Sequence, residues 1–144
     1  MITNVKNNSL ELNTFALPKN LFADIARNSS WETLVLKLKD ENNIEKTVGV
    51  VFSHVGGENY IPMIIGLDYS FNGQYKVYRQ ALYQLVMRAG VLGKKKVLLG
   101  FSAPVEKKKV GAVLNSTYAF MQIKDNFNAV TLDMMNAFSA TMNN

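Results

Sequence analysis

The 144-residue sequence contains no cysteine and only one histidine, His54. Without cysteine the chain can form neither disulfides nor thiolate metal sites, and it has no thiol nucleophile. A single histidine leaves no second imidazole for a typical zinc site and supports no Ser/His/Asp triad. Because His54 stands beside Gly56 and Gly57, we predict that it lies in a surface turn, and we expect no bound metal.

Long apolar runs are also missing from the chain. The longest covers residues 61–67 and is interrupted by Pro62, so it is far too short to cross a bilayer. Residues 1–13 are polar and rich in asparagine, and they lack the apolar core of a signal peptide. We therefore expect a cytoplasmic protein without a membrane partner, with a flexible segment at residues 1–16 and a single domain over residues 17–144.

Positive charge is in excess, with a net charge of +5, and much of it falls in two lysine triplets at residues 94–96 and 107–109. One interpretation is that both triplets are solvated surfaces. The other is that they attract an anion, such as a nucleotide phosphate, coenzyme A or a nucleic acid. Both triplets flank the same short apolar segment, and this arrangement slightly favours a shared site.

The first half of the sequence predicts one helix and then three strands. The helix covers residues 18–28, and the strands cover residues 33–39, 44–52 and 60–67. The first two strands are separated by turn residues at 40–43, so they should form an antiparallel hairpin. The third is apolar at nearly every position, which predicts a central strand with a bulge at Pro62, because proline cannot donate to the ladder.

The second half predicts a crossover to a parallel strand. In residues 74–92 apolar residues recur as adjacent pairs every four positions, which predicts a helix that ends at Gly93. The predicted buried stripe consists of Val77, Tyr78, Ala81, Leu82, Leu85, Val86 and Ala89. A strand at 97–101, a helix at 104–113 and strands at 117–124 and 129–134 follow. The fold class is therefore α/β (α+β), a mixed sheet with helices on its faces.

Three local motifs stand in a characteristic order: GLDY at 66–69, YKVYRQALY at 75–83, and LGFSA with EKKKVGA over residues 99–112. A strand ending in glycine, followed by Lys-x-x-apolar-Gly-Ala, resembles the GNAT-like acetyltransferase domains found beside biotin-pathway oxononanoate synthases. The pattern is also similar to the Fem-type aminoacyl transferases. The resemblance covers residues 30–128 and implies a GNAT-like acyltransferase domain, with helices on both faces of the sheet, that is shortened at its N-terminus.

The resemblance implies that an acyl donor binds where the central strand ends and the long helix begins. The candidate cofactor-binding residues are Gly66, Leu67, Asn72, Gly73, Gln74, Tyr78 and Lys107. Backbone amides and the helix dipole could make residues 72–74 an anion site, and the alternative is an ordinary N-terminal turn. The loop at 70–74 has one glycine where a standard GNAT has a glycine-rich pyrophosphate motif, a departure that the Fem-type branch shares.

Two residues are candidates for catalysis. Lys107 matches the lysine of the family pattern and could neutralise a phosphate or a developing oxyanion. Asp68, at the end of the central strand, could orient an amine or act as general base, and the alternative is that it caps the following loop. Tyr78, Tyr83 and Tyr118 are interpreted chiefly as packing residues.

The expected function is transfer of an acyl group from acyl-CoA to an amine acceptor by direct attack, without a covalent enzyme intermediate. Binding of the donor requires that the two parallel strands part near Gly66. One alternative is a non-catalytic half-domain that forms a homodimer or associates with a larger enzyme. Another is a Fem-like transferase that uses aminoacyl-tRNA, and apart from that tRNA no nucleic-acid partner is expected.

Overall fold

The computed structural model of the protein describes residues 17–39 and 43–118. Contacts between residues divide the chain into two units, Met1–Leu114 and Asn115–Asn144. The described part of the second unit, residues 115–118, contains no helix or strand. All helices and strands given below belong to the first unit, and the predicted domain boundaries stay a prediction.

The described residues of the first unit form a four-stranded mixed sheet with helices. The elements are, in chain order, α1 (Lys19–Arg27), β1 (Trp31–Lys39), β2 (Glu45–Gly56), β3 (Asn59–Leu67), a 3-10 turn (Tyr69–Phe71), α2 (Asn72–Tyr75), α3 (Val77–Val91), β4 (Lys96–Val97) and α4 (Pro104–Lys108). The strand order is β1-β2-β3-β4, antiparallel between the first three strands and parallel between β3 and β4. The predicted hairpin and the predicted parallel crossover are both confirmed.

Strand β1 has the alternating pattern that the sequence predicts. Leu34, Leu36 and Leu38 are half-buried, and the side chains between them are exposed. This period of two follows from the pleat, which turns successive side chains to opposite faces of the sheet. The predicted turn at residues 40–43 lies outside the described residues, except for Asn43, whose φ of 62° is left-handed.

The prediction that His54 lies in a turn is wrong. Strand β2 continues to Gly56, and His54 pairs there with Trp31 of β1. The two rings pack edge to face with their centroids 5.6 Å apart. The strand extends beyond the predicted end because an aromatic partner across the hairpin covers the histidine ring.

Strand β3 lies between β2 and β4 and carries a β-bulge. Phe52 of β2 is opposite Ile64, whereas the next residue, Ser53, is opposite Pro62. Met63 is therefore the extra residue, and the predicted bulge at Pro62 is confirmed. Burial of β3 on both faces is incomplete, because β4 pairs with only its first two residues and the Met63 side chain is 61% exposed.

The predicted helix over residues 74–92 is interrupted near its start. Lys76 has a φ of 51°, and this left-handed residue separates the single turn α2 from the long helix α3. At the other end α3 stops as predicted, with Gly93 at a φ of 64°. Two hydrogen bonds, from the Lys94 amide to the Ala89 carbonyl (2.9 Å) and from the Gly93 amide to the Gly90 carbonyl (3.0 Å), complete a Schellman motif.

The sheet-facing side of α3 forms the core, and α1 covers the opposite face. The buried residues of α3 are Val77, Ala81, Leu82, Leu85 and Ala89, all in the predicted stripe, whereas Val86 is 36% exposed and does not belong to it. Val51 of β2 packs against Leu85, and its neighbour Phe52 meets Phe22 of α1 with ring centroids 5.2 Å apart. Because Val51 and Phe52 point to opposite faces, the predicted mixed sheet with helices on both faces is confirmed.

The elements after α3 are shorter than predicted. The strand predicted over 97–101 is reduced to Lys96–Val97, and α4 ends at Lys108, well before the predicted residue 113. Gly111, with a φ of 88°, ends α4 in a second Schellman motif, in which the Ala112 amide donates to the Lys107 carbonyl at 3.1 Å. The predicted strand at 117–124 is absent from residues 117 and 118, and its remainder and the strand at 129–134 lie outside the described residues.

Candidate functional site

Strands β3 and β4 are joined only at their first residues. The paired residues are Asn59 with Lys96 and Tyr60 with Val97, and the Leu98 amide then donates to the Tyr60 carbonyl at 3.0 Å. Strand β3 continues for seven further residues to Leu67, and no described strand pairs with that side of it. The two strands therefore part directly after Tyr60, nearer to the start of β3 than the predicted point at Gly66.

Gly66 and Leu67, at the C-terminal end of β3, belong to the hydrophobic core and do not form a polar site. Gly66 and Leu67 are both buried, and the Leu67 side chain packs against Val48, Val77 and Ala81. Of the predicted cofactor-binding residues, these two could contact a donor only through the backbone. The sheet positions them next to the turn that leads into α3.

Asp68 caps that turn. Its Oδ1 accepts hydrogen bonds from the Ser70 hydroxyl at 2.6 Å and from the Ser70 amide at 3.1 Å. These two bonds from Ser70 lower the pKa of the Asp68 carboxyl, because both favour the charged form. A carboxylate held in this way is a weak base, so the geometry supports the capping alternative, and a catalytic role for Asp68 stays a prediction.

Asn72 and Tyr78 meet at the start of α3. The Asn72 side-chain oxygen accepts from the Tyr78 amide at 3.1 Å, across the left-handed Lys76. Gly73 and Gln74 are exposed on the short helix α2. The predicted anion-binding turn therefore contains one residue, Asn72, that already satisfies an amide of α3.

A pocket of about 260 Å³ opens beside this helix start, and its lining brings together residues from two parts of the sequence. It is lined by Asn72, Lys76, Tyr78, Arg79 and Glu106. Two of these, Asn72 and Tyr78, are predicted site residues; the three charged ones are not. The sequence feature that could have indicated this pocket is Glu106, an acidic residue directly before the lysine triplet at residues 107–109.

Arg79 and Glu106 form a two-point ion pair across this pocket. Arg79 Nε lies 3.0 Å from Glu106 Oε2, and the second donor, Nη2, lies 3.4 Å from Oε1. The same carboxylate also binds Lys109. Lys109 and Arg79 together hold the pKa of Glu106 below its ordinary value, so its charge is retained at neutral pH.

Lys107 points inward, unlike its two neighbours. It is 6% exposed, whereas Lys108 and Lys109 are exposed, as expected for adjacent residues about 100° apart on a helix. Its Nζ lies 4.0 Å from the position that a Cβ at Gly100 would occupy. The motif glycine and the motif lysine are thus brought together, and a buried lysine at such a place is uncommon in folded proteins.

The two lysine triplets lie at opposite ends of α3. Residues 94–96 follow its C-terminus, where Lys94 and Lys95 bind the turn between β2 and β3. Residues 107–109 lie at α4, which contacts the first turn of α3 through Arg79. The interpretation that the triplets share one site is not supported by this placement.

Tyr83, Tyr118 and a larger groove are not part of this pocket. Tyr83, predicted to pack beside the core, is 51% exposed, and Tyr118 is 87% exposed. A groove of about 490 Å³ runs between β1 and α3 and is lined mainly by residues of these two elements. Across the described ranges no cluster of three or more His, Cys, Asp or Glu side chains could hold a metal ion. None of the helices described has the length and hydropathy needed to span a bilayer.

Comparison with known proteins gives the fold. The sequence matches no protein-family model and no curated protein. Two solved structures are similar: YycN of Bacillus subtilis, which has been assigned as an acetyltransferase, and the aminoglycoside acetyltransferase meta-AAC0020 from an uncultured soil metagenomic sample. The fold is that of the GNAT-type acetyltransferases.

The two structures overlap with most of the chain but share little sequence with it. YycN gives a TM-score of 0.54 at 21% identity, over 74% of this chain and 73% of YycN. The aminoglycoside acetyltransferase gives a TM-score of 0.58 at 12% identity, over 85% of this chain and 86% of that protein. The GNAT-like fold implied by the motifs is therefore confirmed, while the narrower branch is not resolved by these similarities.

Proposed function

We propose that this protein is an N-acyltransferase that transfers an acyl group from acyl-CoA to an amine acceptor. The observation that carries the proposal is the parting of β3 and β4 after Tyr60, beyond which no strand among the described residues pairs with that edge of β3. Such an opening suits the extended, amide-containing arm of coenzyme A, which can pair with a strand edge as a peptide does. The GNAT-type fold supports the same reaction class.

The charged pocket supports the choice of donor. Lys76 and Arg79 lie at the start of α3, where the helix dipole also favours an anion. Asn72 and Tyr78 line the same pocket. We therefore assign the donor's diphosphate to this pocket and its acyl-bearing arm to the opening beside β3, because β3 leads through the turn at residues 68–71 into α2, whose Asn72 lines the pocket.

The reaction would proceed by direct attack. The amine nitrogen attacks the thioester carbonyl carbon, the carbon–sulfur bond breaks, and the thiolate of coenzyme A leaves. The proton lost from the nitrogen passes to the carboxylate of Asp68, the predicted general base, and from there to solvent or to the thiolate. A backbone amide and the buried Lys107 are our candidates for stabilising the oxyanion. No enzyme nucleophile is needed, in keeping with the absence of cysteine.

The narrower branch rests on the sequence motifs alone. The segments at 99–103 and 106–112 resemble the acetyltransferase domains beside biotin-pathway synthases and the Fem-type transferases. A role with aminoacyl-tRNA has less support, because Lys94, Lys95 and Lys109 are engaged in contacts within the chain.

A second candidate function, a non-catalytic module that pairs with a second copy of itself, is favoured by the groove beside β1. Leu34, Leu36 and Leu38 line it, and no described strand covers the outer edge of β1. A free strand edge beside an apolar groove suits pairing with another strand. The mass of the protein in solution, measured by light scattering, separates the candidates: a monomer at all concentrations would remove this one.

Thiol release tests the enzymatic proposal. The chain contains no cysteine, so a thiol reagent reports coenzyme A set free from acetyl-CoA without background from the protein. We expect amine-dependent thiol release by the wild type, and a lower kcat for Lys107→Gln at an unchanged melting temperature. Saturable binding of acetyl-CoA without release of the coenzyme A thiol for any amine in a broad panel would contradict catalysis and indicate a binding module. Absence of acetyl-CoA binding at millimolar ligand would contradict the whole proposal.

A further inference from the structure

The pocket at the start of α3 is lined by one negatively charged side chain, the carboxylate of Glu106. Glu106 faces Arg79 across it and receives two hydrogen bonds, at 3.0 and 3.4 Å, in the fork geometry that a guanidinium also offers to a phosphate. Lys76 lines the same pocket, and no ion pair is formed by its ammonium within the described ranges. The pocket thus has two cations, one of which is engaged by a carboxylate.

This ion pair is accessible to solvent and to a ligand. The side chains of Arg79 and Glu106 are 41% and 32% exposed. Ion pairs at this exposure contribute little to folding stability, because water solvates the separated charges well. Glu106 would also keep a partner if Arg79 left it, since its carboxylate binds Lys109 on the other side. Separation of Arg79 from Glu106 therefore leaves no charge without compensation, provided that a second anion binds Arg79.

We propose that Glu106 competes with the donor's phosphate for Arg79, so that Glu106 sets the affinity of the pocket for its anionic ligand. The inference rests on the proposed function in that it takes the ligand to be an acyl-CoA. In the empty site Arg79 is held by Glu106. When the donor binds, its phosphate takes Arg79, Lys76 supplies the second positive charge, and Glu106 remains with Lys109.

Three explanations of the role of Glu106 predict different effects of its substitution on ligand binding. If Glu106 competes, Glu106→Gln binds a phosphate ligand more tightly, by about two- to fivefold, because Arg79 starts free. If Glu106 instead holds Arg79 in its working position, the same variant binds more weakly. If only net charge matters, any lost carboxylate on the surface has the same effect.

The experiment measures binding of acetyl-CoA and of inorganic pyrophosphate by isothermal titration calorimetry at a single ionic strength. The variants are Glu106→Gln, Arg79→Gln and the double variant, with Glu58→Gln as matched control. Glu58 pairs with Lys95 at the other end of α3, so its change alters net charge equally without touching the pocket. Melting temperatures show that each variant is folded under the conditions used.

We expect tighter binding of both ligands by Glu106→Gln, no change for Glu58→Gln, and loss of the gain when Arg79→Gln is added. Weaker binding by Glu106→Gln, an equal gain in the control, or a gain that persists without Arg79 would each overturn the inference. If acetyl-CoA binds the wild type and Glu106→Gln binds it with the same affinity, the inference about Glu106 fails and the proposed function is unaffected. If pyrophosphate follows the expected pattern while acetyl-CoA does not bind at all, the proposed function fails and the competition stands.

Discussion

Arg88 of α3 and Glu32 of β1 form a two-point ion pair that fixes the long helix to the edge strand. Arg88 Nη2 lies 2.6 Å from Glu32 Oε2, and Arg88 Nε lies 2.9 Å from the same oxygen and 3.0 Å from Oε1. The hydroxyl of the fully buried Tyr60 donates to Glu32 Oε1 at 2.9 Å. Three elements, β1, β3 and α3, are therefore joined at the end of the sheet where β3 and β4 are paired.

This junction should contribute measurably to stability. The Glu32 side chain is 22% exposed and receives hydrogen bonds from two partners, so Glu32→Gln should lower the free energy of unfolding by about 1–2 kcal/mol. Glu58→Gln, in an exposed pair with Lys95, is the matched control and should cost about 0.5 kcal/mol or less. Urea unfolding at pH 7 measures both variants, and equal losses would contradict the assignment.

The same ion pair gives a pH dependence of known sign. Hydrogen bonding from Arg88 holds the pKa of Glu32 below its ordinary value of 4.5, against the opposing effect of burial. A lowered carboxyl pKa contributes stability that is complete above 4.5 and is lost as the pH falls through the value in the folded state. The difference in the free energy of unfolding between wild type and Glu32→Gln should therefore be constant from pH 8 to about 6 and shrink below pH 4.5. A difference that grows on acidification would contradict this account.

Much of the sheet could be predicted from the sequence because its signals are local. Alternation in β1, the apolar run of β3 and the proline within that run, which requires a bulge, all act within a few residues. The buried stripe of α3 and its stop at Gly93 follow equally from a period of 3.6 and from the freedom of glycine at positive φ. These features form in the structure as predicted, except that Met63 of β3 is exposed and Val86 lies outside the buried stripe.

The missed features depend on contacts distant in sequence or on an unfavoured conformation. Lys76 breaks the helix at a φ of 51°, a conformation for which lysine carries no sequence signal. The strand after α3 looks regular as an apolar run, but it ends at Val97 because β3 diverges from it and offers no further partner. Arg79 and Glu106 are 27 residues apart, so only the folded chain shows that they meet.

The two glycines near the end of α3 should respond oppositely to the same substitution. Gly90 lies within the helix and Gly93 has a φ of 64°, and a Cβ at either position would meet nothing within 4 Å. Gly90→Ala should therefore stabilise the protein by about 0.5–1 kcal/mol, and Gly93→Ala should destabilise it by about 1 kcal/mol. Thermal unfolding of the pair tests the Schellman motif, and a shared sign would contradict the left-handed assignment at Gly93.

Lys76→Gly should change stability and acetyl-CoA affinity in opposite directions. Glycine relieves the left-handed strain at this position, so the free energy of unfolding should rise by about 0.5–1 kcal/mol, and the variant should unfold at a higher temperature. The variant also removes one of the two cations of the pocket, so acetyl-CoA affinity should fall by about two- to fivefold. Lys96→Gln, at the other end of α3, removes the same charge and should leave affinity unchanged. Equal affinity in all three proteins would place the donor's phosphates elsewhere.

A crystal structure of the protein with bound coenzyme A tests the central claim most directly. We predict electron density for the pantetheine arm between the part of β3 after Tyr60 and residues 98–101, with the diphosphate beside Lys76 and Arg79. A complex in which side chains fill the space beside β3, with coenzyme A bound elsewhere or absent at saturating concentration, would contradict the account.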